Sequence, residues 1–255
     1  MSPTSQETES PLTRTAASAA GVDSSGGNAE WFAETYWEQV GSTCRWGRYL
    51  SALEEREILA AAAEFEPGLV LEVGCDGGRW CTLLAERGWN IVGTDVNPTA
   101  LAVARRRVPR GLFVEAGGDE LPAAAGSVRL LLAIQVPAVA HTDWFVREAG
   151  RVLEPGGALV FSINNRSSWR ALKHNAPGEY PESYTSFRRR LSKRGLFVDR
   201  ARGAAWFPFH RTSDSALVGR AVGIEETLRL SALPQLSPLV VGTAHRPPVR
   251  RPALS

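Results

Sequence analysis

A chain of 255 residues suits one α/β domain with decorations, well above the size at which a core is hard to build. Its 29 basic and 27 acidic side chains leave a net charge of +2, too balanced to argue for nucleic acid or a membrane surface. No apolar run approaches the roughly 20 residues of a membrane span. The three cysteines, Cys44, Cys75 and Cys81, are odd in number and lack metal-ligand spacing. They read as free thiols of a cytoplasmic protein, and no signal peptide or metal site is expected.

Residues 1–28, rich in Ser, Thr, Ala and Gly, read as a disordered tail, and 246–255 as a second, shorter one. Between them, 29–245 read as one domain. Aromatics arrive densely at its start: Trp31, Phe32, Tyr36, Trp37, Trp46 and Tyr49. Phe32 and Tyr36 stand four apart on one helical face. Ser51-Ala52-Leu53-Glu54 has the pattern of a capping box that opens a further helix.

The stretch Leu69 to Trp80 then reads as a buried strand, a Gly-rich turn and a helix start. Gly74, Gly77 and Gly78 remove side chains where the backbone must turn or touch a ligand. The helix behind them offers free N–H groups and a positive dipole end. A dinucleotide fingerprint, G-x-G-x-x-G, fails, because Asp76 and Arg79 stand at its second and last glycine positions. Asn90 to Asp95 is the second strand. Asp95 lies 21 residues after Gly74, where an acid binds ribose hydroxyls in folds of this kind. Asn97-Pro98 caps and opens the next helix.

Leu112 to Val114 gives a third strand, and Val128 to Val136 a fourth with Ile134 and Gln135 at its ligand-facing end. Thr142 or Asp143 caps the helix that carries Phe145, Ala149 and Val152. Phe187 and Leu191 mark a later helix whose outer face carries Arg188, Arg189, Arg190, Lys193 and Arg194, read as a solvated face. Leu196-Phe197-Val198 starts strand six, a helix follows at about 215–230, and Leu239 to Ala244 is the last strand. His is the natural base near neutral pH. His141, after strand four, and His210, after strand six, are the catalytic candidates, with His174 behind them.

Glu72, two residues before Gly74-Cys75-Asp76-Gly77-Gly78, together with Asp95 and the turn Glu154-Pro155-Gly156-Gly157 ahead of strand five, resembles the class I (Rossmann-like) S-adenosylmethionine (SAM)-dependent methyltransferase family. The resemblance covers roughly residues 60 to 245, with Asp76 replacing the motif's middle glycine. It implies an α/β fold with a seven-stranded sheet of order 3-2-1-4-5-7-6. The last strand is antiparallel, helices cover both faces, and a helical lid spans 29–62. It implies SAM as cofactor, bound by Glu72, Gly74, Cys75, Asp76, Gly78, Asp95, Val96, Ile134 and Gln135. Arg48 in the lid would pair with the cofactor carboxylate. Asp119 would read the adenine, since Gly117 stands at the usual acid's position. Asp76 either draws the cofactor ammonium or repels its carboxylate.

The variable insertion, 164–184, places Asn164, Arg166, Trp169 and Tyr180 toward a substrate. Arg129 stands where the family has Asp, at the strand entry and away from the site. Methyl transfer is in-line displacement, in which alignment supplies much of the rate. Gln135-Val136-Pro137-Ala138 occupies the place where base-modifying relatives carry an Asn- or Asp-Pro-Pro-Tyr motif, which disfavours DNA. The expected activity is methylation of an O or N of a small-molecule metabolite, apolar or aromatic and of secondary metabolism, by a monomer or homodimer. The alternatives are a SAM-fold protein without methyl transfer (a pseudo-enzyme, cyclase or partner subunit) and, weaker, a NAD-dependent oxidoreductase.

Overall fold

The computed structural model describes residues 41–116, 119–174 and 180–248. The expected N-terminal tail, the first part of the lid with Trp31 to Trp37, Gly117 and most of the C-terminal tail lie outside them. The strands are β1 (Leu69–Val73), β2 (Asn90–Asp95), β3 (Leu112–Glu115), β4 (Val128–Ala133), β5 (Leu153–Asn164), β6 (Phe197–Ala204) and β7 (Leu239–His245). They form one sheet of order β3-β2-β1-β4-β5-β7-β6, as expected. β1 pairs in parallel with β2 and β4, whereas β7 runs antiparallel to both β5 and β6.

The pleat sends alternate side chains to opposite faces, and both faces are covered. Val70, Leu130, Leu132 and Val160 pack against Ile58 and Ala61 of α1 (Arg45–Ala62), Trp80 and Leu84 of α2 (Arg79–Ala85), and Leu101 and Ala104 of α3 (Pro98–Arg107). Leu71, Leu131, Ala133 and Phe161 face the other way. After the short α4 (Pro137–Ala140), they meet Phe145 and Val152 of α5 (Asp143–Val152); after α6 (Trp169–His174), they meet Phe187 and Leu191 of α7 (Tyr184–Lys193). A smaller cluster joins the start of α1 through Trp46 to Ala205, Leu239 and Val218 of α8 (Leu217–Thr227).

Local signals set several boundaries. Asn97 Oδ1 accepts the Thr99 N–H at 3.0 Å, and Pro98 opens α3. Thr142 Oγ1 caps α5 by accepting the Phe145 N–H at 3.3 Å. Arg129 pairs with Glu154 at 2.6 Å at the amino end of β4, away from the carboxyl ends of the strands.

Three expectations fail. The Ser51 capping box does not form: α1 runs unbroken from Arg45 to Ala62, capped at Cys44, whose Sγ accepts the Gly47 N–H. Ser51 enters an already closed helical turn, and its hydroxyl instead donates to the Gly41 carbonyl at 3.1 Å. Strand β4 stops at Ala133 rather than Val136, because Gln135 takes a left-handed φ of +55° and Pro137 opens α4. Arg190 is not on the solvated face of its helix. It is half-buried, paired with Glu182 and bonded to the Thr142 carbonyl at 2.9 Å, while Arg188, Arg189, Lys193 and Arg194 are exposed.

Candidate cofactor site

The Gly-rich turn is stitched to β2. Gly74 N–H and Cys75 N–H both donate to the Thr94 carbonyl, at 2.7 and 2.9 Å. Gly74 has φ +69°, and a methyl group there would lie 2.2 Å from Val136 Cγ1, so this position accepts no side chain. Gly78, at φ +78°, begins α2, and a methyl group on it would meet Ala104 Cβ at 2.9 Å. Asp76 itself sits at φ +48°. Asp visits the left-handed region more readily than most residues, which is why it can replace the motif's middle glycine.

The Asp76 N–H donates to Asp95 Oδ2 at 2.8 Å, and the Asn97 N–H donates to Asp95 Oδ1 at 2.9 Å. Both oxygens of Asp95 are thereby oriented, and each keeps acceptor capacity for a further donor. A carboxylate so presented matches the two hydroxyls of a vicinal diol. Val96 beside it is 54% exposed.

Glu72 lies under the turn. It is buried, accepts the Cys81 thiol at 3.0 Å, and is pushed by burial up to about 8. The Cys81 thiol is raised well above its usual value, first by its hydrogen bond with Cys75 and then by burial. At neutral pH this group of side chains therefore carries little charge and braces the turn from within.

At the end of β4, Ile134 is buried and the Gln135 N–H donates to Ser162 Oγ at 2.7 Å. The Gln135 side chain reaches α1, where its Nε2 donates to Glu54 Oε1 at 2.8 Å. Glu54 is 4% exposed, and burial pushes it up to about 7. Arg79, the first residue of α2, completes the group. One guanidinium nitrogen lies 3.8 Å from Glu54 Oε2, another donates to Ser51 Oγ at 3.0 Å, and the guanidinium stacks 3.6 Å over the Trp80 ring. Neither Glu54 nor Arg79 was among the residues expected from the sequence. The position of Arg79, directly behind the glycine turn, was the available signal for it; Glu54 gave none.

The remaining candidates disperse. Arg48 donates to the Ser42 and Thr43 carbonyls at 3.2 and 3.1 Å and lies 4.0 Å from Asp214, so its guanidinium serves the start of α1. Asp119 is exposed, and its carbonyl accepts from Arg147 at 3.4 Å. His141 is half-buried with its Nδ1 against the Pro137 carbonyl. His210 is exposed, with Nδ1 2.8 Å from Thr212 Oγ1. The side chain of His174 is outside the described residues. Asn164 ends β5, Arg166 is exposed, and Tyr180 is buried. Trp169 donates from its indole to the Trp206 carbonyl at 3.1 Å, which brings the loops after β5 and β6 together. Tyr49 joins them through Glu225, which accepts the Tyr49 hydroxyl at 2.5 Å and the Trp206 N–H at 3.0 Å.

The arrangement follows the strand order. An acid able to take a diol stands at β2, a close-approach turn at β1, an amide after β4, a carboxyl on α1 and a guanidinium at the start of α2. In open α/β sheets, ligands bind at the carboxyl ends of the strands where the order reverses, here between β1 and β4. A nucleoside with a charged, amino-acid-like tail fits this donor set. Among the described residues, no group of three or more His, Cys, Asp or Glu side chains is placed to hold a metal ion. No described helix is long and apolar enough to cross a membrane.

Comparison with known proteins agrees with this geometry. The family described as "Methyltransferase domain" matches residues 70–157, from β1 to the turn ahead of the regular part of β5. A ubiquinone biosynthesis O-methyltransferase of Mesorhizobium japonicum is 30% identical over 112 residues, 42% of this chain and 45% of that protein. A probable S-adenosylmethionine-dependent methyltransferase of Mycobacterium tuberculosis is 38% identical over 101 residues, 38% of this chain and 36% of that one. The chain thus spans less than half the length of these curated relatives. Among solved structures, a geranyl diphosphate C-methyltransferase from Streptomyces coelicolor, in complex with Mg2+, geranyl diphosphate and S-adenosyl-L-homocysteine, shares the fold. Its TM-score is 0.59 at 15% identity, over 93% of this chain and 99% of that one. A putative methyltransferase from Listeria monocytogenes gives 0.58 at 15% identity, over 76% and 97%.

Proposed function

We propose that this chain, which belongs to the class I (Rossmann-like) S-adenosylmethionine-dependent methyltransferase family, transfers a methyl group to an oxygen or nitrogen of a small molecule. The observation that carries the reading is the Asp95 carboxylate, fixed by the Asp76 and Asn97 N–H groups one strand away from the glycine turn. When bound, SAM supplies a methyl carbon made electrophilic by the sulfonium. The chain's own residues then hold and align. Asp95 takes the ribose diol, and the backbone of the glycine turn allows close approach. Ile134 and Gln135 border the reacting end. Trp169, Trp206 and Tyr49, gathered where the loops after β5 and β6 meet α1, offer an aromatic surface to the acceptor.

Holding an acceptor atom in line with the C–S bond supplies much of the acceleration without a dedicated base. His141 is tied to a backbone carbonyl and His210 stands exposed, so catalysis in this reading rests on alignment rather than on either ring. The oxygen acceptor has support in the O-methyltransferase of Mesorhizobium japonicum.

The test has two steps. Calorimetric titration with S-adenosylhomocysteine (SAH), with NAD as control, is expected to show SAH binding alone. Incubation with isotopically labelled SAM and a panel of phenols, alcohols and amines is then expected to yield a methylated product by mass spectrometry. Failure of SAH to bind refutes the cofactor assignment. Binding without transfer to any acceptor class favours a SAM-fold protein that does not transfer methyl groups. Transfer only to carbon corrects the acceptor atom.

A further inference from the structure

Helix α1 carries a buried carboxyl group to the end of β4 from outside the motifs. β2, β1, β4 and β5 are neighbours in that order in the sheet. With the ribose on Asp95 at β2, as the cofactor reading has it, a tail that crosses the β1 turn would run toward β4. There Glu54 is held from the β4–β5 side, by Gln135 Nε2 at 2.8 Å and by the Ser162 hydroxyl. Ser162 Oγ in turn accepts the Gln135 N–H at 2.7 Å, so a residue with strained, left-handed backbone is fixed to hold this carboxyl.

The carboxyl is poorly compensated. Arg79, at 3.8 Å, is beyond hydrogen-bond length and is shared with Ser51 and the Trp80 ring. A buried carboxylate with one distant cation is costly to ionise unless another positive charge arrives. Glu57, one turn away and as buried, shows the contrast. Arg200 donates to it at 3.0 Å and Thr243 at 2.6 Å, a closed structural set.

We propose that Glu54 is the counter-charge for the sulfonium, so that it selects SAM over the neutral thioether SAH. The proposal rests on the cofactor reading above. As the methyl leaves, the C–S bond electrons remain on sulfur and its positive charge disappears. The attraction to Glu54 goes with it, which favours product release.

The experiment is calorimetric titration of SAM and SAH into wild type and Glu54→Gln, an isosteric change that removes the charge. The variant is expected to lose about 30-fold or more in SAM affinity, the scale for one partner of a desolvated charge pair, while SAH changes less than about threefold. Glu54→Asp keeps the charge one methylene further back. It is expected to shift the SAM-to-SAH ratio in the same direction by less, and it serves if the Gln variant does not fold. Equal weakening of both ligands overturns the proposal, because it places Glu54 on the amino group that both share. No change in either also overturns it. If wild type binds neither ligand, the cofactor reading itself has failed, which is a separate result.

Discussion

Replacing Asp95 by Asn tests the ribose assignment with almost no change of shape. In the wild type both carboxylate oxygens accept a backbone N–H, from Asp76 at 2.8 Å and from Asn97 at 2.9 Å. A carboxamide has one acceptor oxygen and one donor NH2. Whichever way it turns, its NH2 faces one of those N–H groups. One charge-assisted bond is lost and replaced by a donor–donor contact, a cost of about 2 kcal/mol to folding. For a domain of this size that lowers the melting temperature by roughly 5 °C. The diol suffers separately, because two hydroxyls then have one acceptor between them. Losing a second charge-assisted bond of about 2 kcal/mol weakens SAH roughly 30-fold. Thermal unfolding without ligand gives the first figure and calorimetry on the folded variant gives the second. A folded Asp95→Asn that binds SAH within about threefold of wild type would refute the ribose role. A variant that unfolds outright would show that the carboxylate mainly braces the turn.

Other consequences follow from the same contacts. Gly74→Ala forces a methyl to 2.2 Å from Val136 Cγ1 at φ +69°, so a loss of about 3 kcal/mol or more is expected by urea denaturation, partly recovered in Gly74→Ala/Val136→Ala; no recovery would mean that backbone strain alone is responsible. Asn165, fully buried, donates to the Pro234, Gln235 and Ser237 carbonyls and accepts from Ser167 and Tyr184 N–H. Asn165→Leu removes those bonds, leaving only the Pro234 carbonyl another partner, the Ser237 hydroxyl, and should cost about 3 to 5 kcal/mol, whereas a loss under about 1 kcal/mol would contradict the accounting. Glu54, raised to about 7 from 4.5, binds a proton in the folded state over a pH range where the unfolded chain has released it. Its contribution therefore makes stability fall as pH rises from about 4.5 to 7, by roughly 3 kcal/mol, and it is constant above. Denaturation at pH 5 and pH 8 should show this slope in the wild type and a shallower one in Glu54→Gln; identical slopes would assign the pH dependence elsewhere.

What the sequence by itself determined was local or periodic. Leu69 to Val73 and Asn90 to Asp95 were legible as strands because parallel strands buried on both faces read as continuous apolar runs. The glycine turn, the Asn97-Pro98 cap and the Thr142 cap were legible because each is a backbone requirement met within a few residues. The place of Asp95 beside the turn was legible because its distance from the turn is set by one helix and one strand. The same local reasoning misled at Ser51. A capping box is a pattern of side chains, but whether it caps depends on the turn before it, and here Cys44 had already started the helix.

The tertiary structure alone decided which charges meet. Glu54 finds Gln135 across 81 residues, Arg79 finds Ser51 across 28, and Asn165 gathers a loop about 70 residues away. No periodicity encodes these pairs, because each depends on where α1 and the loop ahead of β7 cross the sheet. The same packing took Arg190 out of a basic run that looked uniformly solvated and set Arg48, expected beside the cofactor carboxylate, against Asp214. Burial is the physical reason. A charge on the surface is nearly free to point anywhere, whereas a charge inside must find the particular partners that the fold brings to it.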